Sequence, residues 1–407
     1  MSQSGPSPID LTGTQFYADP YPIYQWLREH DPVHWHEGVQ AWFVTRHADV
    51  ALVLRDPRFS KRHYTLGVDH MPPEVRAKYE PFVRRFGLWL LFKDGESHVK
   101  MRRLMNQGFS PKAVEALRPH IEAVTERLLD EAIKDGSIEL MSGLANPLPA
   151  MVIAHMLGVS DHDWRELSEL TSNITHFIAL PATEEVARRS REGYDRLEAI
   201  FRTAIEARRR SPVQDEVLSL LVAAEEQGQL LTTEELCSQC ILLFFAGHET
   251  TRNFIGNSVI ALLRNPDQLE LLRGRPELLP GAVEELLRYD SPIQFTVRRV
   301  EADVEVGRKL LKAGQIVYPV LGSANRDPDL FPDPDRLDIT RPNAKRHFSF
   351  GFGAHYCLGA SLAQAEGEIA LRRLLELAPR MLLAADRLDW IPNPSFHGVT
   401  SLPLAIG

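Results

Sequence analysis

The chain has 407 residues, of which 44% are hydrophobic and 25% charged, and its formal net charge is −9. These proportions are those of an ordinary globular protein, and the acidic balance argues against a nucleic-acid-binding protein, which normally carries a basic patch. Three cysteines exclude a disulfide framework, and their odd number favours a reducing compartment.

The N-terminal segment MSQSGPSPIDLTG has neither the basic nor the apolar region of a secretory signal peptide. No run of about 18 apolar residues indicates a transmembrane anchor. We therefore expect a cytoplasmic protein with no membrane anchor and no nucleic-acid partner.

The first strand-like segments are VHWH and AWFVTR, and the turn-like EGVQ between them predicts an early hairpin. Helical patterns then dominate up to the middle of the chain. They are HADVALVLRD, SPKAVEALRPHIEAVTERLLDEAIKDG and EEVARRSREGYDRLEAIFRTAIEARRR. Ser110 is the predicted N-cap of the second of these helices, with Pro111 at its first position.

The longest predicted helix begins at Thr232 or Thr233 and ends at Leu263, before an Asn-Pro pair. Glu235 completes a capping signal with these threonines. The middle of this helix, CILLFFAG, is apolar on every face, which predicts a helix buried through the centre of the domain.

A second buried helix ends in AVEELLRYDSP, and strand-like segments return only after it, as FTVRRVEADVEV and QIVYPVLGSA. Long helices followed by small antiparallel pieces predict a mainly α, α+β fold in a single domain over residues 1–407.

The run AGHETTRN interrupts the apolar middle of the long helix with the consecutive residues 247–251. Burying polar groups without hydrogen-bond partners costs free energy, so a polar run in a buried helix requires a structural or functional explanation. A threonine that bonds back to the carbonyl four residues earlier, beside a glycine, predicts a helix opened in mid-span, with a hydroxyl and a carboxylate facing a cavity. The alternative is a polar stripe that reaches solvent. The zinc motif H-E-x-x-H is excluded because its fifth position is Arg252.

The segment FSFGFGAHYCLGASLAQAEGE places Cys357 in a glycine-rich turn directly before a helical pattern. A dinucleotide fingerprint is not matched, because Tyr356 occupies its third glycine position. Backbone N–H groups at a helix N-terminus favour a thiolate, and Gly359 would let a bulky group approach the sulfur. These features predict an axial metal ligand held on a turn.

Four short patterns follow one another along the chain: H-x-x-x-R at His98 and Arg102, [AG]-G-x-[DE]-T at 246–250, E-x-x-R at Glu285 and Arg288, and F-x-x-G-x-H-x-C-x-G at 350–359. NRDP at 325–328 and FPDPDRLD at 331–338 fall between the last two patterns. In these patterns and in their order, essentially the whole chain resembles the cytochrome P450 family of haem-thiolate monooxygenases, in its soluble bacterial form.

The resemblance implies a mainly α (α+β) cytochrome P450-type domain, with haem between the long central helix and the Cys-loop helix, and small antiparallel sheets. It implies haem b, with Cys357 as the thiolate ligand of the iron. The cofactor-binding residues that it implies are His98, Arg102, Ala246, Arg298, Phe350, Gly351, His355, Cys357 and Gly359.

Among these residues, His98, Arg102, Arg298 and His355 would contact the haem propionates, and Ala246 would leave room over the iron. Arg299 would point to the opposite side of the strand from Arg298, so only one of the two can contact a haem propionate.

Glu249 and Thr250 match the catalytic acid–alcohol pair of the family, which organises the water that delivers protons to bound oxygen. Glu285 and Arg288 match its structural salt bridge, and we expect Arg336 to complete it.

The implied reaction inserts one O₂-derived oxygen atom into a substrate by hydroxylation or epoxidation. We expect electrons from a separate ferredoxin with an NAD(P)H-dependent reductase, no fused reductase, and a monomer. Basic residues near the thiolate side are the candidate docking residues: Lys345, Arg346, Arg103 and Lys112. Two alternatives are a peroxide-driven peroxygenase and a non-catalytic haem-thiolate sensor or carrier, and the pair Glu249 and Thr250 counts against both.

The candidate pocket segments lie at 86–92, 176–182, 242–247, 291–297 and 397–402. They are apolar apart from His176, Gln294 and Thr400, and they contain no arginine or lysine. This composition predicts a mid-sized apolar substrate such as a fatty acid, terpenoid, steroid or polyketide-like compound. Residues 86–92 fit a pocket wall and ordinary core equally well.

Two further clusters have ordinary structural explanations. Cys237 and Cys240 have C-x-x-C spacing on the long helix without a second pair of ligands, so we expect two buried thiols and not a zinc or redox site. His34 and His36 share one side of a strand, and a solvated or core pair is expected there.

Overall fold

The computed structural model describes Asp10 and residues 13–62, 66–179, 182–213, 216–228, 232–378 and 380–406. In chain order the helices are α1 (Thr14–Ala18), α2 (Tyr21–His30), α3 (His47–Arg55), α4 (Leu66–Asp69), α5 (Pro73–Phe86), α6 (Gly95–Met105), α7 (Pro111–Ala132), α8 (Pro147–Met156), α9 (Trp164–Ala179), α10 (Glu184–Arg210), α11 (Val217–Glu226), α12 (Thr233–Arg264), α13 (Pro266–Gly274), α14 (Leu279–Tyr289), α15 (Leu321–Ala324) and α16 (Ala360–Leu377).

The strands are β1 (Val33–His36), β2 (Ala41–Val44), β3 (Phe59–Ser60), β4 (Ser137–Glu139), β5 (Arg298–Val300), β6 (Val304–Val306), β7 (Lys309–Leu311), β8 (Ile316–Pro319), β9 (Leu382–Leu383) and β10 (Pro403–Ala405). A π-helical turn covers Met141–Ala145, and short 3-10 helices cover Leu90–Phe92, Pro276–Leu278, Ala344–Arg346 and Gly353–His355. The predicted mainly α fold with small sheets is confirmed.

The chain divides into two compact units, and the first consists of Met1–Ser60, Asn257–Cys357 and Arg387–Thr400. Its sheet has the strand order β1-β2-β8-β5-β3, and β6 pairs with β7. The predicted hairpin is confirmed, because β1 and β2 are antiparallel with Val33 opposite Val44. The expectation of purely antiparallel sheets is wrong, since β2 and β8 are parallel, with Ala41 opposite Ile316.

One face of this sheet and helix α3 enclose the main apolar core of the first unit. β-branched residues dominate this core because they pack well on a pleated surface. Its buried members include Val33, Val44, Val50, Val53, Phe59, Val300, Val317 and Phe348.

The second unit consists of Lys61–Gly256, Leu358–Asp386 and Ser401–Gly407, and it contains α4 to α11, most of α12 and α16. Its small sheet has the order β4-β10-β9. Ser110 caps α7 by accepting a hydrogen bond from the Ala113 N–H at 3.3 Å, as predicted. Among the described helices, none combines the length and the apolar character that crossing a bilayer requires.

An aromatic cluster forms part of the core of the second unit. Phe86 stacks on Phe177 with ring centroids 5.5 Å apart, and it meets Trp89 edge-on at 4.8 Å. Phe86, Trp89, Leu90 and Phe92 are all buried. Residues 86–92 therefore belong largely to the core, with Leu88 and Leu91 partly exposed.

Helix α12 begins with the predicted capping box. The Thr232 hydroxyl accepts from the Glu235 N–H at 3.1 Å, and the Glu235 carboxylate accepts from the Thr232 N–H at 3.3 Å. The helix is continuous from Thr233 to Arg264, so the opening predicted in its middle is not present. Tertiary packing around the helix keeps the α-helical path despite the polar run.

Candidate functional site

In the first unit, the glycine-rich loop presents the thiol of Cys357 at its surface. The loop is closed by a hydrogen bond from the Cys357 N–H to the Phe350 carbonyl at 2.8 Å. Gly351 and Gly353 have φ values of +70° and +74°, a left-handed conformation that favours glycine. Cys357 is exposed, so its sulfur is available to a ligand.

The other two cysteines, both in α12, are buried, as predicted. Burial raises the pKa of Cys237 to about 12 and that of Cys240 well above its ordinary value. Within the described residues, no group of three or more His, Cys, Asp or Glu side chains could hold a metal ion. Burial and the raised pKa values therefore make both thiols of the C-x-x-C pair unreactive.

Arg298 and His355 are the two residues of the first unit that were predicted to contact the cofactor carboxylates. Arg298 in β5 is 2% exposed, and its Nη1 donates to the Val297 carbonyl at 3.0 Å. Its neighbour Arg299 is exposed, as strand alternation predicts. His355 is half-buried in the 3-10 turn before Cys357.

In the second unit, His98 and Arg102 lie one turn apart on α6 and share a face. His98 is buried, and its burial, together with the nearby Arg102 charge, lowers its pKa. The imidazole is therefore a neutral hydrogen-bonding group near neutral pH, and the positive charge of this pair resides on Arg102. The Arg102 Nε donates to the Asn106 Oδ1 at 3.0 Å, which holds the guanidinium along the helix.

The polar run of α12 has two different sides. Ala246 is exposed and Thr250, one turn later, is half-exposed, although the helix around them is buried. The Thr250 hydroxyl donates to the Ala246 carbonyl at 2.8 Å, which confirms the predicted back-bonding.

The Glu249 carboxylate is not on the accessible side. It is 4% exposed, and its Oε1 accepts from the Arg252 Nη1 at 2.8 Å. The prediction that the hydroxyl and the carboxylate face one cavity is therefore wrong for the carboxylate in this conformation. An ion pair within one turn of the helix offsets part of the cost of burying its charge.

Helix α16 begins directly after the cysteine loop. A Cβ placed on Gly359 would meet no atom within 4 Å, so open space adjoins this end of the loop. The Gly359 carbonyl accepts from the Ala363 N–H at 2.9 Å and starts the helix.

Comparison with known proteins decides the family. The family model "Cytochrome P450" matches residues 50–377. A biotin biosynthesis cytochrome P450 of Bacillus subtilis (strain 168) is 36% identical over 394 residues, which cover 96% of this chain and 97% of the relative. The chain belongs to the cytochrome P450 family.

Two further proteins resemble this cytochrome P450 over nearly their full length. The vitamin D(3) 25-hydroxylase of Pseudonocardia autotrophica is 36% identical, with 100% of this chain and 98% of the relative covered. The structure of P450BioI in complex with hexadec-9Z-enoic acid ligated acyl carrier protein has a TM-score of 0.89 at 35% identity, and covers 97% of this chain and 100% of that one. This chain is thus a cytochrome P450 monooxygenase, a bacterial type of enzyme that needs a redox partner.

The cofactor of this family is haem iron, and the residues of this P450 fit it. Cys357 offers an exposed soft sulfur ligand, the space beside Gly359 is open, and Arg298 and Arg102 are cations suited to carboxylates. When bound through a thiolate, haem iron activates O₂ and the sulfur pushes electron density that favours O–O cleavage.

The structural salt bridge of this P450 is present, but its third member was predicted wrongly. Arg288 donates from Nε to the Glu285 Oε2 at 2.7 Å, and both side chains are fully buried. The third side chain is Arg341, whose Nε lies 3.1 Å from the Glu285 Oε1. Arg336 is exposed and contributes only its main-chain carbonyl, to Arg288 and Arg341.

A buried polar network in the first unit was missed by sequence reasoning. Asp290 accepts from the Tyr21 hydroxyl at 2.7 Å and lies 3.2 Å from the His397 Nε2. The Gln294 amide donates to the Ser291 carbonyl at 2.7 Å. Gln294 is 1% exposed, and no local pattern identifies Tyr21 and His397 as the partners of Asp290, because they are so distant in sequence.

Two buried residues of the second unit were also missed. His248 lies between Gly247 and Glu249 and is 1% exposed, and Glu366 on α16 is equally buried. The sequence does indicate a role for His248, because a histidine within an otherwise apolar, buried helix needs a hydrogen-bond partner. Glu366 lies in the helical segment after Cys357, and its spacing alone does not distinguish it from a solvated residue.

Proposed function

We propose that this P450 oxidises a mid-sized apolar substrate by inserting one oxygen atom from O₂, with haem b held by Cys357 and electrons supplied by a separate ferredoxin. The single observation that carries the haem assignment is the exposed Cys357 on a closed loop, while the other two cysteines are buried. Arg298, His355, Phe350 and Gly351 are proposed to complete the haem environment on the side of the cysteine loop.

On the side of α6 and α12, we propose that Arg102 and neutral His98 bind a propionate and that Ala246 leaves room for oxygen. A neutral imidazole still donates one hydrogen bond to a carboxylate, and the neighbouring guanidinium supplies the charge. The exposure of Ala246 supports its role, because a small accessible side chain leaves space at this turn of the helix.

The role of Cys357 is tested by the absorption spectrum of the reduced, CO-bound protein. A thiolate ligand gives a strongly red-shifted Soret band, which Cys357→His should abolish. Cys237→Ala and Cys240→Ala are the controls and should keep the band, because both thiols are buried with raised pKa values. Loss of the band in either control would contradict the assignment.

We propose that Thr250 and Glu249 manage proton delivery. The Thr250 hydroxyl is on the accessible side of the helix and can hold water there, whereas Glu249 is paired with Arg252 and must turn to exchange a proton. Thr250→Ala should divert electrons to hydrogen peroxide, and Glu249→Gln should slow turnover with less peroxide. Unchanged coupling in Thr250→Ala would reject its role.

The substrate class follows from the accessible side chains of the predicted pocket segments. Among the described residues of these segments, the partly or fully exposed apolar ones are Leu88, Leu91, Ile178, Ala246, Ile293 and Val297. Leu180 and Pro181 of one segment lie outside the described residues. Burial of apolar area, at about 25 cal/mol per Å², would supply most of the affinity.

One relative is a vitamin D(3) 25-hydroxylase, and a similar solved structure is a complex with a carrier-bound hexadec-9Z-enoic acid, which supports an apolar substrate here. We therefore test hexadec-9Z-enoic acid, a steroid and a terpenoid, with amino acids and sugar phosphates as controls, by the haem spin-state shift. Binding of the charged metabolites alone would overturn the proposed class.

A further inference from the structure

A buried histidine ties the polar run of α12 to two other elements of the second unit. The His248 Nε2 lies 2.7 Å from the Asn146 Oδ1, directly before α8, and 3.3 Å from the Ser168 Oγ on α9. His248 is 1% exposed and Ser168 is 7% exposed, so these hydrogen bonds are made away from solvent. One imidazole therefore links three elements.

His248 lies on the side of α12 opposite the accessible residues. Successive residues of an α-helix are rotated by about 100°, so His248 lies about 160° around the helix from both Ala246 and Thr250. At the neighbouring Gly247, an added Cβ would lie 3.4 Å from the Ile153 side chain of α8. The closed side of the helix is thus packed on α8, and His248 supplies directional hydrogen bonds to that packing.

The charge state of His248 suits an anchor. Burial, its main cause, lowers the pKa of His248 to about 4, so the ring is neutral at physiological pH. The neutral ring has a single N–H, on Nε2, which donates mainly to the Asn146 Oδ1 at 2.7 Å and shares a longer, bifurcated bond with the Ser168 Oγ at 3.3 Å, and it carries a lone pair on Nδ1. That Nδ1 is 4.0 Å from the Glu249 Oε2, beyond hydrogen-bond distance, so Glu249 stays paired with Arg252.

We propose that His248 is a positioning residue of the reaction: by holding Asn146 and Ser168 it fixes the rotation of α12 and keeps Thr250 on the accessible side. The hydrophobic effect itself is non-directional, so apolar burial specifies the rotation of a helix less sharply than a directed hydrogen bond does. A hydrogen bond from a buried ring, in contrast, weakens steeply when its angle changes. This inference rests on the proposed role of Thr250 in proton delivery.

The test measures the hydrogen peroxide formed per NADH consumed, with a ferredoxin system and hexadec-9Z-enoic acid as probe substrate. His248→Leu should raise this ratio several-fold, because it keeps the volume and removes the anchor. His248→Gln should restore most of the coupling, since its amide N–H can again donate to Asn146. Tyr194→Phe is the matched control: it removes one buried hydrogen bond to Ser238 of the same helix, at 3.0 Å, and should leave the ratio unchanged.

A second measurement needs no turnover. In the nitrogen NMR spectrum, the His248 ring, assigned by its loss in His248→Gln, should keep a slowly exchanging Nε2–H and should not titrate between pH 8 and about pH 5. Titration with a midpoint between about pH 6 and 7 would overturn the inference. So would a peroxide ratio in His248→Leu no higher than in Tyr194→Phe, when Thr250→Ala does uncouple. If Thr250→Ala itself stays coupled, the proposed function of Thr250 fails instead.

Discussion

At the scale of single residues, the buried carboxylate of Glu285 pairs with the side chain of Arg341 and not with that of Arg336. Its Oε1 accepts from the Arg341 Nε at 3.1 Å and from the Asp338 N–H at 3.0 Å, while its Oε2 accepts from Arg288. The side chain of Arg336 is exposed and makes no part of this group. Two guanidinium groups thus compensate one fully buried carboxylate.

We expect Arg341→Leu to lower the free energy of unfolding by about 1–3 kcal/mol, because the buried carboxylate loses one partner but keeps Arg288. Arg336→Leu, the matched control, should change it by no more than about 0.5 kcal/mol, because its side chain is exposed. Urea denaturation followed by circular dichroism measures both. Equal losses in the two variants would contradict the assignment of Arg341.

Glu366 makes the stability of the protein depend on pH. Burial raises its pKa to about 8, and the hydrogen bond with Thr251 opposes this only in part. In the unfolded chain the pKa of this carboxyl returns to about 4.3. Between about pH 4.3 and 8, Glu366 is therefore protonated in the folded protein and ionised in the unfolded chain. The stability that this proton provides is complete below that window and is lost as the pH rises through about 8.

Across that window, we expect this carboxyl to lower the free energy of unfolding by about 1.4 kcal/mol per pH unit. Glu366→Gln, which keeps the shape and stays neutral, should remove this part of the slope and be the more stable protein at pH 8. Urea denaturation at several pH values compares the two slopes. Identical slopes would show that Glu366 does not carry a proton in the folded state.

At the scale of elements, α12 and α16 approach each other closely at a glycine. A Cβ placed on Gly367 would lie 3.2 Å or less from three atoms of the Phe254 ring, which is 1% exposed and cannot move away freely. The absence of a side chain at this position therefore sets the distance between the two helices.

Gly367→Ala should destabilise the protein by about 1–3 kcal/mol, since overpacking forces the ring or the helix to shift. Gly274→Ala is the control. Its added Cβ would meet nothing within 4 Å, and Gly274, the last residue of α13, does not have the left-handed backbone conformation that favours glycine. Thermal unfolding of the two variants measures the difference. A gain in stability for Gly367→Ala would show that the helices can separate without cost.

At the scale of the whole molecule, the net charge is −9, and the four predicted docking residues for a redox partner are exposed basic residues. Lys345 and Arg346 are exposed in the 3-10 turn shortly before the loop, and Arg103 and Lys112 are exposed on α6 and α7. An acidic ferredoxin would be attracted to such residues, and salt screens this attraction.

We therefore expect the rate of reduction by an acidic ferredoxin to fall as ionic strength rises. Lys345→Glu with Arg346→Glu should lower this rate at low salt, and Arg308→Glu with Lys309→Glu, an equal charge change in the exposed β6–β7 turn, should affect it much less. Stopped-flow measurement of reduction provides both results. A rate independent of salt would reject electrostatic docking.

Much of the fold could be predicted because helix formation depends on residues close in sequence. The caps at Ser110 and Thr232 and the back-bonding of Thr250 involve partners three or four residues away, and each was found as predicted. The parallel pairing of Ala41 with Ile316 could not be predicted, because no local pattern states which distant strand a strand will meet. The haem roles of the individual residues stay predictions.

The sequence by itself determined the family, the glycine-rich turn that carries Cys357 before a helix, and the opposite directions of Arg298 and Arg299, since these depend on local motif and strand alternation. Only the tertiary structure decided that Arg341 completes the salt bridge, that Asp290 meets Tyr21 and His397, and that His248 contacts Asn146 and Ser168. The reason is physical: a buried polar group must find a partner, and which partner is within reach depends on how segments far apart in sequence pack.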